Sequence, residues 1–343
     1  MNIAETRLLN ARTSRPVPLT RLGFGGAPLG NLYRVIPEPD AHAALMSAYA
    51  VGMRYFDTAP QYGLGISEAR FGRAVAEFGR DSIVLSTKVG RLLVDCAPHE
   101  VTPDAFVGVP QKRIVFDYSY DGVMRSHADS KARLGVERID MLLVHDIGAE
   151  THGTIEASEV HVRALFDGGG HRALTELRDG GEILAFGAGV NEWEVCERLL
   201  HLGDFDCFML AGRYTLLEQQ ALDSFLPLCE RRDVGIIIGS PFNSGILATG
   251  AIAGATYNYA PAPAPVLERV RRIEAVCAAH EVPLVAASLQ FVLGHPVVRN
   301  VVAGAVSEPE LRSNAAQLAF PIPASFWSDL RSEGLIRADA PTP

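Results

Sequence analysis

The sequence predicts a closed (β/α)8 barrel, eight parallel strands wrapped by helices, as one domain over residues 1–343. Three observations predict it. From about residue 40 onward, short apolar runs alternate with segments of helical periodicity. The runs are nearly continuous in hydrophobicity, as strands covered on both faces are. About eight of them occupy roughly 300 residues with no linker between, which suits one barrel better than two packed domains.

The expected strands are 22–26, 55–56, 83–86, 141–144, 183–186, 207–210, 235–238 and 300–303. The expected helices are 40–51, 67–78, 120–134, 171–178, 192–202, 218–231 and 308–317, with another near 266–279. Several open on residues suited to a helix start: Ser67 ahead of Glu68, and Ser307 ahead of Glu308-Pro309-Glu310. Three longer stretches follow strands, at 91–117, 147–161 and 241–265, the last richest in Pro, Gly and Ala. In a barrel they fall on the C-terminal rim, where loops build the site.

Composition narrows the function class. With 31 Lys and Arg against 40 Asp and Glu, the chain has a formal charge of −9 and no basic block, which argues against nucleic acid or an anionic membrane surface as partner. A small molecule is expected instead. No apolar run reaches the roughly 18 residues of a membrane span and the first residues lack a signal-peptide core, so a cytoplasmic location is expected. Cys96, Cys196, Cys207, Cys229 and Cys277 are odd in number and widely spaced, indicating neither a disulfide framework nor a zinc site.

Three expected strands end in an ionisable residue: Asp57 after Arg54-Tyr-Phe56, Lys88 after Ile83-Val-Leu-Ser-Thr87, and His145 after Met141-Leu-Leu-Val144. In a barrel these ends converge on one mouth. A carboxylate and an ammonium arriving there together offset each other's desolvation. Tyr62 lies beyond Asp57 in a turn fixed by Pro60 and Gly63, so its phenol can swing over the same mouth. A phenol is too weak an acid to exchange protons at neutral pH, and a buried ammonium beside it is expected to lower its pKa. The quartet suits passing one proton to or from a carbonyl or alcohol oxygen, and no nucleophile accompanies it. The plainer reading is of separate rim charges in water. No metal is expected, because Lys88 opposes a divalent cation near His145, Asp146 and Asp57.

The segments Leu22-Gly-Phe-Gly-Gly-Ala-Pro-Leu-Gly30, Phe56-Asp-Thr-Ala-Pro-Gln-Tyr-Gly63 with Ser67–Glu68, Ser86-Thr-Lys-Val-Gly90, Leu142-Leu-Val-His-Asp146, Ser240-Pro-Phe-Asn-Ser-Gly-Ile-Leu247 and Val302-Ala-Gly-Ala305 with Asn314 span nearly the whole chain. In that order they resemble the aldo-keto reductases. The stretches 115–126 and 138–146 are similar to those of bacterial L-fucose and D-threo-aldose 1-dehydrogenases, a subgroup that includes a pyridoxal 4-dehydrogenase. The resemblance implies a (β/α)8 barrel with Tyr62 as general acid/base, Lys88 tuning it, Asp57 pairing with Lys88, and His145 orienting the substrate oxygen. Hydride would pass between the substrate and nicotinamide. Asn191 would bind the carboxamide, Tyr214 would stack on the nicotinamide unless it is a half-buried strand tyrosine, and Ser240, Asn243 and Gly245 would follow the pyrophosphate.

Gly304, Glu310 and Asn314 belong to the segment that selects the dinucleotide. Glu310 stands where NADP-binding relatives often carry a cation, so NAD is expected, with NADP left open by Arg312 nearby. No G-x-G-x-x-G follows a strand, so a Rossmann site is not expected. The implied reaction oxidises the C1 hydroxyl of an aldose of the L-fucose, L-galactose or D-arabinose type to a lactone. The alternatives are a pyridoxal 4-dehydrogenase, a general aldehyde or ketone reductase, and a nicotinamide-binding regulatory subunit, the last disfavoured by an intact quartet. Asp146 and Trp193 are candidate sugar contacts, or else a rim charge and a helix-packing residue.

Overall fold

A computed structural model describes residues 1–9 and 15–343. Eight strands close a barrel: β1 (Leu22–Gly25), β2 (Tyr55–Asp57), β3 (Val84–Val89), β4 (Met141–His145), β5 (Ala185–Val190), β6 (Cys207–Ala211), β7 (Gly235–Gly239) and β8 (Val298–Gly304). Each pairs in parallel with its neighbours in chain order, and β8 returns to β1 through Val301–Leu22 and Gly304–Gly25. The connecting helices lie outside. The longer ones, such as Glu38–Ala50, Ile66–Phe78, Tyr120–Leu134 and Glu308–Ala319, match the expected positions within a few residues.

Both faces of each strand are buried, which explains their unbroken hydrophobicity. In β4, Met141 and Leu143 point into the barrel with Tyr55, Cys207, Met209, Ile237 and Val302. Leu142 and Val144 point outward into the layer shared with the helices. The floor comes from a segment the strand pattern passed over. Thr6–Leu8 and Pro18–Thr20 form an antiparallel hairpin, and Leu9, Val17 and Leu19 join the interior cluster from below. Strands this short give no periodicity to read.

The structure moves β5 from the expected 183–186 to Ala185–Val190. Gly187 and Gly189 fall beyond the expected strand, and both are places of close approach. A Cβ on Gly187 would sit 2.0 Å from the Cys207 carbonyl oxygen. The three rim stretches also carry structure. Arg91–Asp95 pairs with Lys112–Phe116, the stretch after β4 folds into helices Ala149–His152 and Ile155–Phe166, and the stretch after β7 holds helix Ile246–Thr249 and the ribbon Thr256–Tyr257 with Ala260–Pro261. Helices Leu284–Leu293 and Ala324–Ser332 were not anticipated. All five cysteines are unpaired. Among the described residues no single helix is long and apolar enough to cross a membrane.

Because Leu19 is fully buried against the barrel interior, Leu19→Ala should destabilise the protein by about 2–5 kcal/mol. In urea titrations the midpoint should fall while the slope stays constant.

Candidate active site

The registers set the site. Asp57 pairs with Ser86, Val89 with Val144, and His145 with Gly189, so β2, β3 and β4 end at one level of the barrel mouth. Lys88, 2% exposed, donates from Nζ to Asp57 Oδ2 at 2.7 Å and to the Thr58 carbonyl at 2.9 Å. The other Asp57 oxygen accepts from Ser86 Oγ at 2.6 Å, and that hydroxyl meets the Tyr55 hydroxyl at 2.9 Å. Both charges are therefore buried, paired and hydrogen-bonded, the condition under which burial is tolerable. Burial opposes the Lys88 charge, but Asp57 and Tyr62 hold its pKa above the ordinary lysine value. Gly189 makes the room, since a Cβ there would lie 3.2 Å from Lys88 Cε.

Tyr62 reaches the mouth from the turn after β2. The turn is pressed against the one after β1: a Cβ on Gly63, whose φ is +67°, would lie 2.3 Å from the Gly30 carbonyl oxygen. Ser67 donates to the Gly26 carbonyl at 2.9 Å, and Glu68, buried, accepts from Thr87 at 2.7 Å and pairs with Arg133. The Ser67–Glu68 pair thus locks the start of the second helix to β1 and β3. The Lys88 ammonium lies 4.8 Å from the Tyr62 ring centre, over its face. The expected lowering of the Tyr62 pKa is only half of what happens. Lys88 does pull it down, but burial acts more strongly and the phenol is pushed up to about 12. The His145 ring stands edge-on to Tyr62 at 5.9 Å, and burial, then Arg91 and Lys88, hold its pKa well below the ordinary value, so the imidazole is neutral.

Tyr62, Lys88, His145, Asp146, Asn191 and Ser240 line one cavity of about 710 Å³. Over it the ribbon after β7 places Tyr259, which lines the cavity together with Ser240 and Asn191. Ser240, Asn243, Ser244 and Gly245 all have positive φ, so the turn after β7 folds sharply at the rim. Asn243 is buried, its oxygen meeting Thr215 at 2.5 Å and its nitrogen donating to the Gly212 carbonyl at 2.9 Å. Its side chain is thus occupied in holding the turn. Gly304 ends β8, Asn314 is buried in the following helix, Glu310 accepts from the Val306 amide at 2.9 Å, and Arg312 is paired with Glu308 at 2.7 Å. The groups fit a nicotinamide dinucleotide: an Asn amide and a Ser hydroxyl beside the proton-transfer residues, then a tight turn open at Gly245, where a Cβ would meet nothing within 4 Å.

Two expected contacts are placed elsewhere. Tyr214 does not line the cavity; it is buried, its ring 5.4 Å from Phe291 and 5.7 Å from His295. Gly212, at φ +68°, turns the chain as β6 ends, so Arg213 takes the rim and Tyr214 packs back onto the helix Leu284–Leu293. Trp193 lines a neighbouring cavity of about 700 Å³ with Glu192, Arg198 and Glu218, because it opens a helix just outside the barrel wall. Sequence reading missed Arg91, Tyr33, Phe106 and Tyr259, all on the Tyr62 cavity. For Arg91 a signal existed, a cation directly after Gly90 at a strand's end; the other three sit in stretches read only as loop.

A barrel whose mouth gathers a phenol, a buried ammonium with its carboxylate, and a neutral imidazole is built to move a proton at a carbonyl or alcohol oxygen, with the electrons going to a bound cofactor. The chain belongs to the Aldo/keto reductase family, whose match covers residues 21–333, and is a nicotinamide-dependent oxidoreductase. It is 45% identical to a pyridoxal 4-dehydrogenase of Microbacterium luteolum, over 98% of this chain and 99% of that one. It is 38% identical to a D-threo-aldose 1-dehydrogenase of a Pseudomonas species, over 97% and 98%. An aldo-keto reductase of Bacillus halodurans in its holo form shares the fold, with a TM-score of 0.74 and 23% identity over 98% of each chain.

Tyr62→Phe should lower turnover by about 10²–10⁴-fold, with cofactor affinity in fluorescence titration unchanged. Since the Tyr62 phenol stays protonated up to about pH 12, alcohol oxidation, which needs the phenolate, should quicken as pH rises, whereas carbonyl reduction should stay level and then decline. Lys88→Met removes the influence that lowers this pKa, so its oxidation profile should move to higher pH. No inflection from His145 should appear between pH 6 and 7 in the wild-type enzyme.

Proposed function

We propose that the protein is an NAD-dependent aldose 1-dehydrogenase that oxidises the ring-closed sugar at C1 to its lactone. The observation that carries the reading is the meeting of Tyr62, Lys88 and His145 at one cavity, with Asp57 paired to Lys88 behind them and Arg91 paired to Asp146 beside them, in a chain 38% identical to a D-threo-aldose 1-dehydrogenase. Bound nicotinamide supplies the hydride acceptor, a chemistry that no side chain provides. The chain's own residues do the rest. His145, neutral, hydrogen-bonds the anomeric oxygen; Tyr62 as phenolate takes the proton from that hydroxyl; Lys88, held by Asp57, stabilises the phenolate. Asn191 and Ser240, both on the cavity wall, hold the carboxamide end. Asp146 contacts the sugar; Trp193, in its separate cavity, is left out of that role. The unpaired cysteines suit a reducing compartment such as the cytoplasm.

The preference for NAD rests on the helix after β8. Glu310 is held at the helix start by the Val306 amide, while Arg312 pairs with Glu308 on the exposed face of the same helix, so the group fixed at the helix start is a carboxylate. A carboxylate repels a 2′-phosphate and can accept from a ribose hydroxyl. Oxidation of pyridoxal is the second reading, favoured by the 45% identity to a pyridoxal 4-dehydrogenase.

Added with NAD, L-fucose, L-galactose or D-arabinose should produce the near-ultraviolet absorbance of reduced nicotinamide. Silence with every aldose but a response to pyridoxal would move the assignment to the second reading. Calorimetric titration should show tighter binding of NAD than of NADP, and Glu310→Arg should shift that ratio toward NADP by about tenfold or more, since a hydrogen bond to a charged group contributes about 1.5–3 kcal/mol.

A further inference from the structure

A second ion pair stands beside the first, its cation buried and its carboxylate partly open to the cavity. Arg91, 5% exposed, donates from Nη2 to Asp146 Oδ2 at 2.7 Å. The same oxygen lies 3.4 Å from His145 Nε2. Asp146 follows β4 directly and holds φ at +43°, a left-handed conformation that a non-glycine residue keeps only where its surroundings enforce it. Those surroundings are visible. The Tyr118 hydroxyl donates to the His145 carbonyl at 2.8 Å and approaches that of Asp146 at 3.4 Å, while the Arg91 guanidinium lies 5.3 Å over the Phe116 ring. Backbone and side chains of the His145–Asp146 dipeptide are therefore fixed before a substrate arrives.

Proton transfer through Tyr62 and Lys88 makes no use of this pair. What it offers the cavity is an acceptor next to a donor. His145 donates to the reacting oxygen, and the Asp146 carboxylate beside it, whose pKa burial raises while Arg91 and Lys88 pull it back, offers an acceptor. Two ligand oxygens, each bonded at about 2.8 Å, would close a four-sided ring with Nε2 and Oδ2 if they sat as far apart as the oxygens on adjacent carbons held gauche. We infer that His145 and Asp146 together form a subsite for a hydroxyl neighbouring the reacting one, with Arg91 as the positioning residue that keeps the carboxylate aimed at it. This deepens the aldose reading and rests on it. In an aldose the second group is the C2 hydroxyl; in pyridoxal it is the ring hydroxyl, one carbon further from the reacting oxygen. A simple aldehyde or monohydric alcohol leaves that acceptor unmet.

D-arabinose and 2-deoxy-D-ribose differ only in the C2 hydroxyl, so initial rates with NAD on the two sugars test the subsite directly in the wild-type enzyme. The deoxy sugar should be poorer in kcat/KM by about 100-fold or more, as for sites built around a hydroxyl. Arg91→Met should shrink this ratio, KM for D-arabinose rising by a larger factor than KM for the deoxy sugar, and Arg91→Lys should restore part of it. Equal efficiency on the two sugars in the wild-type enzyme overturns the subsite. Parallel losses on both in Arg91→Met, with a lowered melting temperature, overturn the role of Arg91. If neither sugar is oxidised, the aldose reading fails separately, and pyridoxal against its 3-deoxy analogue reads the same ratio; a ratio near one, or no turnover of either, then overturns the subsite too.

Discussion

The contact between Lys88 and Asp57 is the interaction on which the rest of the site depends. Neither side chain retains more than 3% of its exposure, so each charge has lost nearly all its water. Removing one partner would leave the other ionised in a nearly dry interior, far costlier than the pair is favourable. The barrel supplies what makes the pair tenable: β2 and β3 in register, the Thr58 carbonyl as second acceptor for Lys88, and Ser86 with Tyr55 completing the coordination of Asp57. The ammonium is thereby held under the Tyr62 ring. Burial and the Asp57 charge alone would leave that phenol a poorer acid still, so the ammonium is what keeps it within reach of proton exchange.

Space is the second constraint, and glycine meets it. The turns carrying Gly30 and Gly63 touch backbone to backbone, which fixes Tyr62 over the mouth, and the bare Cα of Gly189 faces the Lys88 side chain. These contacts tie the position of the acid to the wall of the barrel instead of to a mobile loop. Larger residues at these places would force the turns apart or displace the lysine, and the distances on which proton transfer depends would go with them.

Much of this was legible in the sequence. Strand ends carrying Asp57, Lys88 and His145 are a local pattern, and a closed barrel converts three local patterns into one site. What failed to read were features whose signal is not local. β5 was displaced because its glycines serve packing against β6 and Lys88, which no single segment reveals. Tyr214 was placed at the mouth on resemblance, yet one left-handed residue, Gly212, exchanged the directions of Arg213 and Tyr214. Trp193 lies only two residues beyond Asn191, but the strand has ended by then and the helix carries the indole away from the mouth. Arg91 was readable by the same rule that found Lys88; its partner Asp146 was identified without it.

The charges around the cavity bear on what can enter it. Lys88 is matched by Asp57, Arg91 by Asp146, and Arg213 by Glu150 across the mouth, while Asp104 is bonded to Gln61. His145 and Tyr62 are neutral at physiological pH. Among the described residues that line the cavity no cation is left over, and Asp104 tips the balance slightly negative. A carboxylated or phosphorylated substrate would therefore have to break an ion pair that is nearly dry, at a cost its own charge would not recover. A neutral molecule rich in hydroxyl groups meets no such obstacle: it can donate to the carboxylates and accept from the imidazole while both ion pairs stay intact. The electrostatics select for uncharged polar substrates before shape is considered, and a sugar is of that kind.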